Sequence, residues 1–106
     1  MISEKELEKL SYPEAPKIIT GKVPGPKGQK IWDEAVKFET PTRVGGMYIP
    51  FVWNEALGAT VKDPDGNVFI DMTGGLGTNN TGHTHPKVVE TIKTQAEKLM
   101  HALDMA

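Results

Sequence analysis

The sequence contains no cysteine at all, which excludes disulfides, thiolate metal sites and cysteine nucleophiles together. It also lacks any apolar run near the ~20 residues needed to span a bilayer, and no apolar stretch of signal-peptide type follows Met1. Charge of one sign is missing too: 12 Lys and Arg stand against 14 Asp and Glu, for a net charge of −2 over 106 residues. The basic residues are scattered, so no patch for neutralising phosphates is visible. These absences predict a cytoplasmic protein with no membrane or nucleic-acid partner. What the sequence has in excess is punctuation, with 11 glycines and 8 prolines, above the average combined usage of roughly 12%. Long loops and a thin core follow, and such a core needs a partner.

Ser3 and Glu6 stand at capping-box positions, with Ile2 and Leu7 as the staple, which predicts a short amino-terminal helix. A frayed, solvated terminus is the alternative. From Tyr12 to Pro26, four prolines with Gly21 and Gly25 block both continuous helix and central strand, leaving an extended connector. Residues 1–26 are therefore read as an amino-terminal helix and connector, and 27–106 as an incomplete small domain.

Ile31, Trp32, Ala35 and Val36 recur at helical spacing, predicting a helix over roughly 28–38 that stops before Pro41, with Trp32 as a packing anchor. The stretch 47–57 is the most apolar, yet Pro50 restricts it to an edge strand or extended arm. Residues 58–72 predict a hairpin turning at Asp63-Pro64-Asp65-Gly66, where proline presets the turn and glycine accepts positive φ. A glycine-rich loop occupies 73–85. After it, Pro86 suits the first turn of a helix, and Val88, Val89, Ile92, Ala96, Leu99 and Leu103 mark one apolar face over about 86–103. The fold class is α+β.

The loop 73–85 is the one candidate site that the residues by themselves offer. Gly74, Gly75 and Gly77 could bring backbone N–H groups to a ligand, but the spacing matches neither G-x-G-x-x-G nor the P-loop. Sharp chain reversal explains the glycines equally well. His83 and His85, with His101 farther on, invite a zinc reading, which the lack of cysteine and of H-E-x-x-H weakens; turn geometry and capping beside Pro86 are the competing role. Asp63, Asp65 and Asp71 read as turn and strand-end residues rather than an acid/base pair. Asn79-Asn80-Thr81 is a formal glycosylation sequon with no secretory context.

Taken together, Gly58 through Asp71, then Gly74-Gly75-Leu76-Gly77 through His83-Thr84-His85-Pro86-Lys87-Val88-Val89, with Gln95 beyond and Pro24-Gly25-Pro26-Lys27 ahead, resemble the amino-terminal signature of class III aminotransferases, the pyridoxal-phosphate enzymes that act on 4-aminobutyrate, acetylornithine and other ω-amino groups. The joint match is far more specific than any short motif within it. The resemblance implies the amino-terminal part of the small domain of a fold-type I enzyme, with the hairpin in a small antiparallel sheet and the long helix leading toward the cofactor domain. It implies that Leu76 lines the substrate pocket with Gly77 and Thr78 beside it, at a dimer interface. It places the aldimine lysine, the acidic partner of the pyridine nitrogen and the phosphate-binding helix start after the point corresponding to Ala106.

The implied function is that of an amino-terminal fragment, not catalytic alone and with no catalytic, cofactor or metal residues of its own. In the complete enzyme, an ω-amino donor such as 4-aminobutyrate would pass its amino group to a 2-oxo acid through pyridoxal phosphate in a ping-pong cycle. The expected partners are the remaining part of the aminotransferase or a second copy of the chain. A non-catalytic assembly or partner-binding module is the alternative.

Overall fold

In the computed structural model, the structure describes residues 5–6, 9–38 and 51–101. Ser3 and Leu7 of the expected amino-terminal helix lie outside the described residues, as do 47–50 of the apolar stretch. The architecture is α+β. Helix α1 (Pro26–Phe38) precedes a sheet of β1 (Glu55–Leu57), β2 (Thr60–Lys62) and β3 (Val68–Ile70), and then come α2 (Gly74–Gly77) and α3 (Pro86–Ala96).

The strand order is β1-β2-β3, antiparallel throughout. Lys62 opposes Val68 and Val61 opposes Phe69, so the hairpin forms where the Asp63-Pro64-Asp65-Gly66 signal places it. Ala56 opposes Val61 on the other side, which makes β1 the edge strand that Pro50 implies.

Side chains alternate along strands, so opposed residues share a face. Ala56, Val61 and Phe69 line one face, where Phe51 meets Phe69 edge-on with centroids 4.7 Å apart. The connector crosses the other face. Tyr12 N–H donates to Thr60 Oγ1 at 2.8 Å, the Lys62 ammonium sits 3.7 Å above the Tyr12 ring, and Glu14 lies 3.6 Å from the same ammonium. Lys17 pairs with Val68 by two backbone hydrogen bonds, covering the free edge of β3. Among the described residues, the fully buried apolar side chains are Val61 and Val68, in keeping with the thin core that the composition predicts.

Asn67 replaces much of the missing apolar core. It is 0% exposed. Its Oδ1 accepts from the backbone N–H groups of Ile19 and Thr20, and its Nδ2 donates to Asp63 Oδ2 at 2.7 Å. A buried amide is tolerated when its polar atoms are paired, and here it ties connector to turn.

Two helix boundaries differ from expectation. α1 starts at Pro26 rather than near 28, because Pro26 occupies the first helical position and Asp65, from the hairpin turn, supplies the cap. α3 ends at Ala96 rather than 103. Gln95 O accepts from both Lys98 and Leu99 N–H as the last turn closes, and no residue of the helix is buried. Short helices depend on packing of their apolar face, and this face has little: Val89 is half-buried, whereas Val88, Ile92 and Leu99 are exposed. In α1, Gly28 is buried and Trp32 half-buried, whereas Ile31 and Val36 face solvent.

Candidate functional site

The glycine-rich loop leaves β3 at Asp71 and returns to the sheet at His83. Asp71 is fixed by its own N–H, which donates to Ala59 O at 2.8 Å. His83 exchanges two backbone hydrogen bonds with Gly58, of 2.9 and 2.8 Å. Glycine is needed at two positions around this pairing. A Cβ on Gly82, whose φ is +81°, would meet Gly58 Cα at 3.0 Å, and a Cβ on Gly58 would collide with the Leu10 carbonyl.

Between these anchors the chain makes α2, a single turn in which Gly74, Gly75, Leu76 and Gly77 all have positive φ. It therefore winds left-handed. Gly77 N–H donates to Thr73 O at 2.9 Å and Asn79 N–H to Gly74 O at 2.8 Å. Glycine adopts this region freely, but Leu76, at φ 58° and ψ 41°, does so at a cost of roughly 1–2 kcal/mol. The result is an outward display, with Leu76 84% exposed at the apex and Met72 88% exposed at the entry.

Asp71 organises the entry to that turn. Its Oδ1 accepts from Thr73 N–H at 2.8 Å, the Thr73 hydroxyl at 2.8 Å and Gly74 N–H at 3.0 Å. Its Oδ2 lies 2.7 Å from His83 Nε2. The side chains of Asp71 and His83 are 4% and 14% exposed. Donation from His83 first, then from Thr73 and Gly74, holds the Asp71 carboxyl far below its ordinary value, with burial opposing. On the far side of the ring, Asn79 Nδ2 is 3.3 Å from His83 Nδ1. The Nε2–H tautomer satisfies both contacts, donating to Asp71 and accepting from Asn79. Trp53 lies beside the imidazole, with ring centroids 5.7 Å apart.

Leu76, Gly77 and Thr78 are thus together on the turn, and all three are exposed. The Thr78 hydroxyl is turned inward onto Gly75 O at 2.8 Å. The two histidines part company. His83 joins Asp71, while His85 stands at the cap position of α3 without capping it, and its Nδ1 is enclosed with no hydrogen-bond partner. The capping role expected for His85 is therefore corrected: its backbone carbonyl takes the Val89 N–H at 3.0 Å, but its side chain makes no hydrogen bond to the first turn of α3. Among the described residues, no three His, Asp or Glu side chains are grouped to hold a metal ion. Asp63 is a turn residue as expected, its Oδ1 accepting from the N–H groups of Asp65 and Asn67. Asp71 is more than a strand end, because His83 reaches it.

Residues 42–105, more than half of the chain, match the class-III aminotransferase family. The alanine/serine racemase of Pyrococcus horikoshii is 37% identical over 90 residues, an alignment covering 85% of this chain and 19% of that protein. A probable 4-aminobutyrate aminotransferase of Bacillus subtilis is 59% identical over 44 residues, 42% of this chain and 10% of that one. The ornithine aminotransferase of Toxoplasma gondii superposes with a TM-score of 0.65 at 25% identity, covering 74% of this chain and 18% of the other. The fold is that of one part of an ornithine aminotransferase, and the chain belongs to the class III aminotransferase family. It spans about a fifth or less of the length of the curated relatives it matches.

Enzymes of this family use pyridoxal phosphate. The loop at 73–85 does not fit that group by itself, for it holds no lysine to form a Schiff base, no arginine for the phosphate and no carboxylate for the pyridine nitrogen. Among the described residues, no helix is long and apolar enough to cross a membrane.

Proposed function

We propose that this chain forms the substrate-side wall of a class III aminotransferase active site, with Leu76, Gly77 and Thr78 against the substrate. The amino donor is an ω-amino acid such as 4-aminobutyrate, the acceptor is a 2-oxo acid, and the site is cytoplasmic and at a dimer interface. The observation that carries this reading is the left-handed Gly-Gly-Leu-Gly turn, which presents an aliphatic side chain outward from a rigid base. An exposed Leu beside small glycines is suited to excluding water from an alkyl amine chain while leaving room for it. The cofactor and its lysine belong to the remaining part of the enzyme, and a second copy would complete the interface.

A second reading, a non-catalytic assembly module, is favoured by the uncovered apolar side chains of Ile92, Leu99 and Met100.

A graft separates the two. Residues 51–101 replace the matching segment of the Bacillus subtilis relative, and the chimera is assayed for 4-aminobutyrate-dependent amino transfer beside the parent. Transfer within about tenfold of the parent, or roughly 1.4 kcal/mol in the barrier, supports the wall. A folded, yellow chimera with no amino transfer from any ω-amino donor overturns it and favours the assembly module.

A further inference from the structure

We propose that Asp71, His83 and Asn79 form a clasp across the mouth of the glycine-rich loop, and that this clasp is the positioning device that holds Leu76 in its left-handed, outward conformation. The inference rests on the reading above only in calling the displayed surface a substrate wall.

The argument begins with what the turn lacks. All of its residues have positive φ, and no Cβ placed on Gly74 or Gly77 would meet another atom within 4 Å. The turn has little apolar packing to set its shape, and the close neighbours it has, Asn79 Nδ2 and Thr78 Oγ1 beside Gly75, are polar. A non-glycine residue persists in the left-handed region when its surroundings over-determine it, and here those surroundings are polar. Asp71 grips the entry through Thr73 and Gly74, and Asn79 N–H closes the exit onto Gly74 O. His83 joins the two, one ring nitrogen on Asp71 at 2.7 Å and the other 3.3 Å from Asn79. The backbone of His83 is held by its pairing with Gly58, and Trp53 lies alongside the ring. One imidazole thus spans the loop that carries Leu76.

The same geometry argues against a catalytic dyad. Both nitrogens are occupied, and three hydroxyls of the loop are turned elsewhere: Thr73 onto Asp71, Thr78 onto Gly75 O and Thr84 onto Ala56 O. With no free face toward a reacting atom, His83 acts through Leu76.

The test uses the chain as it is, labelled with nitrogen-15. A positive φ gives Leu76 a strong intraresidue HN–Hα cross-peak, and its amide exchange reports local opening. His83→Leu removes both polar contacts while keeping bulk. It is expected to abolish that cross-peak and to speed Leu76 and Gly77 exchange about tenfold or more, with Val61 and Val68 unchanged. His83→Gln, whose amide nitrogen reaches where Nε2 donates, is expected to restore the cross-peak. Asn79→Ala, removing one contact only, is expected to give an intermediate loss.

Retention of the cross-peak in His83→Leu overturns the clasp, as does failure of His83→Gln to rescue, or equal loss of protection at Val61 and Val68. Should His83→Leu unfold altogether, the pair of His83→Gln and Asn79→Ala decides. In the active graft, His83→Leu is expected to raise the donor KM more than it lowers kcat. An inactive graft would sink the aminotransferase reading and leave the exchange result standing.

Discussion

Asp65, in the turn of the hairpin, caps a helix that begins some forty residues earlier, its carboxylate oxygens accepting from the N–H groups of Lys27 at 2.9 Å and Gly28 at 2.8 Å. An anion at a helix start satisfies orphan N–H groups and complements the dipole. Gly25 makes the approach possible, since a Cβ there would stand 2.5 Å from the Asp65 Cγ. Asp65→Ala is expected to cost about 1 kcal/mol of stability, and Gly25→Ala roughly 1–3 kcal/mol by overpacking. Urea denaturation of both variants and their double mutant checks this. Because the second change loses its clash once the carboxylate is gone, the double mutant should be more stable than the sum of the singles predicts.

Asn67 supplies a second prediction. Asn67→Ala leaves the backbone N–H groups of Ile19 and Thr20 and one oxygen of Asp63 without their partner, a loss of roughly 1–3 kcal/mol. Asn67→Asp sets a carboxylate against Asp63 instead, so it should be worse at neutral pH and recover as the pH falls. Melting curves across pH distinguish the two.

Asp71 makes the loop acid-sensitive. Its carboxyl is held far below the ordinary value of 3.8, so the folded state favours the charged form. Its contribution is complete above the ordinary value and is lost as pH falls from there toward the lower folded value. The melting temperature should therefore fall as the pH is lowered below about 4. Asp71→Asn should lose part of that slope, and an unchanged acid profile in the variant would contradict the assignment.

The glycines should divide into two groups. At Gly58 and Gly82, positive φ and backbone contact act together, so alanine should cost well above 1 kcal/mol. Gly77, with φ +79° and open space around it, should cost only the left-handed penalty of roughly 1–2 kcal/mol. Thermal melts of the three alanine variants give the order directly.

Much of this architecture is legible in the residues, for local reasons. The Asp-Pro-Asp-Gly turn between β-rich runs marks the hairpin, and Pro50 marks the edge strand, because turn chemistry and proline geometry act over a few residues. The glycine loop is visible as a candidate, but its handedness is not, since Leu76 gives no sign of positive φ. The Asp71–His83 contact closes over twelve positions and the Asp65 cap over nearly forty, and neither distance has a period to read. α3 shows the opposite error: the apolar pattern continues to Leu103, beyond the observed end at Ala96, because a pattern records the face meant to be covered rather than the packing this chain supplies.

The most direct test of the account is the amino-donor KM of the grafted enzyme with Leu76→Trp. Added bulk at the apex of the turn should raise KM for 4-aminobutyrate about tenfold or more, while the cofactor absorbance and the stability stay as they are in the unmodified graft. An unchanged KM and kcat with tryptophan at that apex would place the turn away from the substrate and contradict the account.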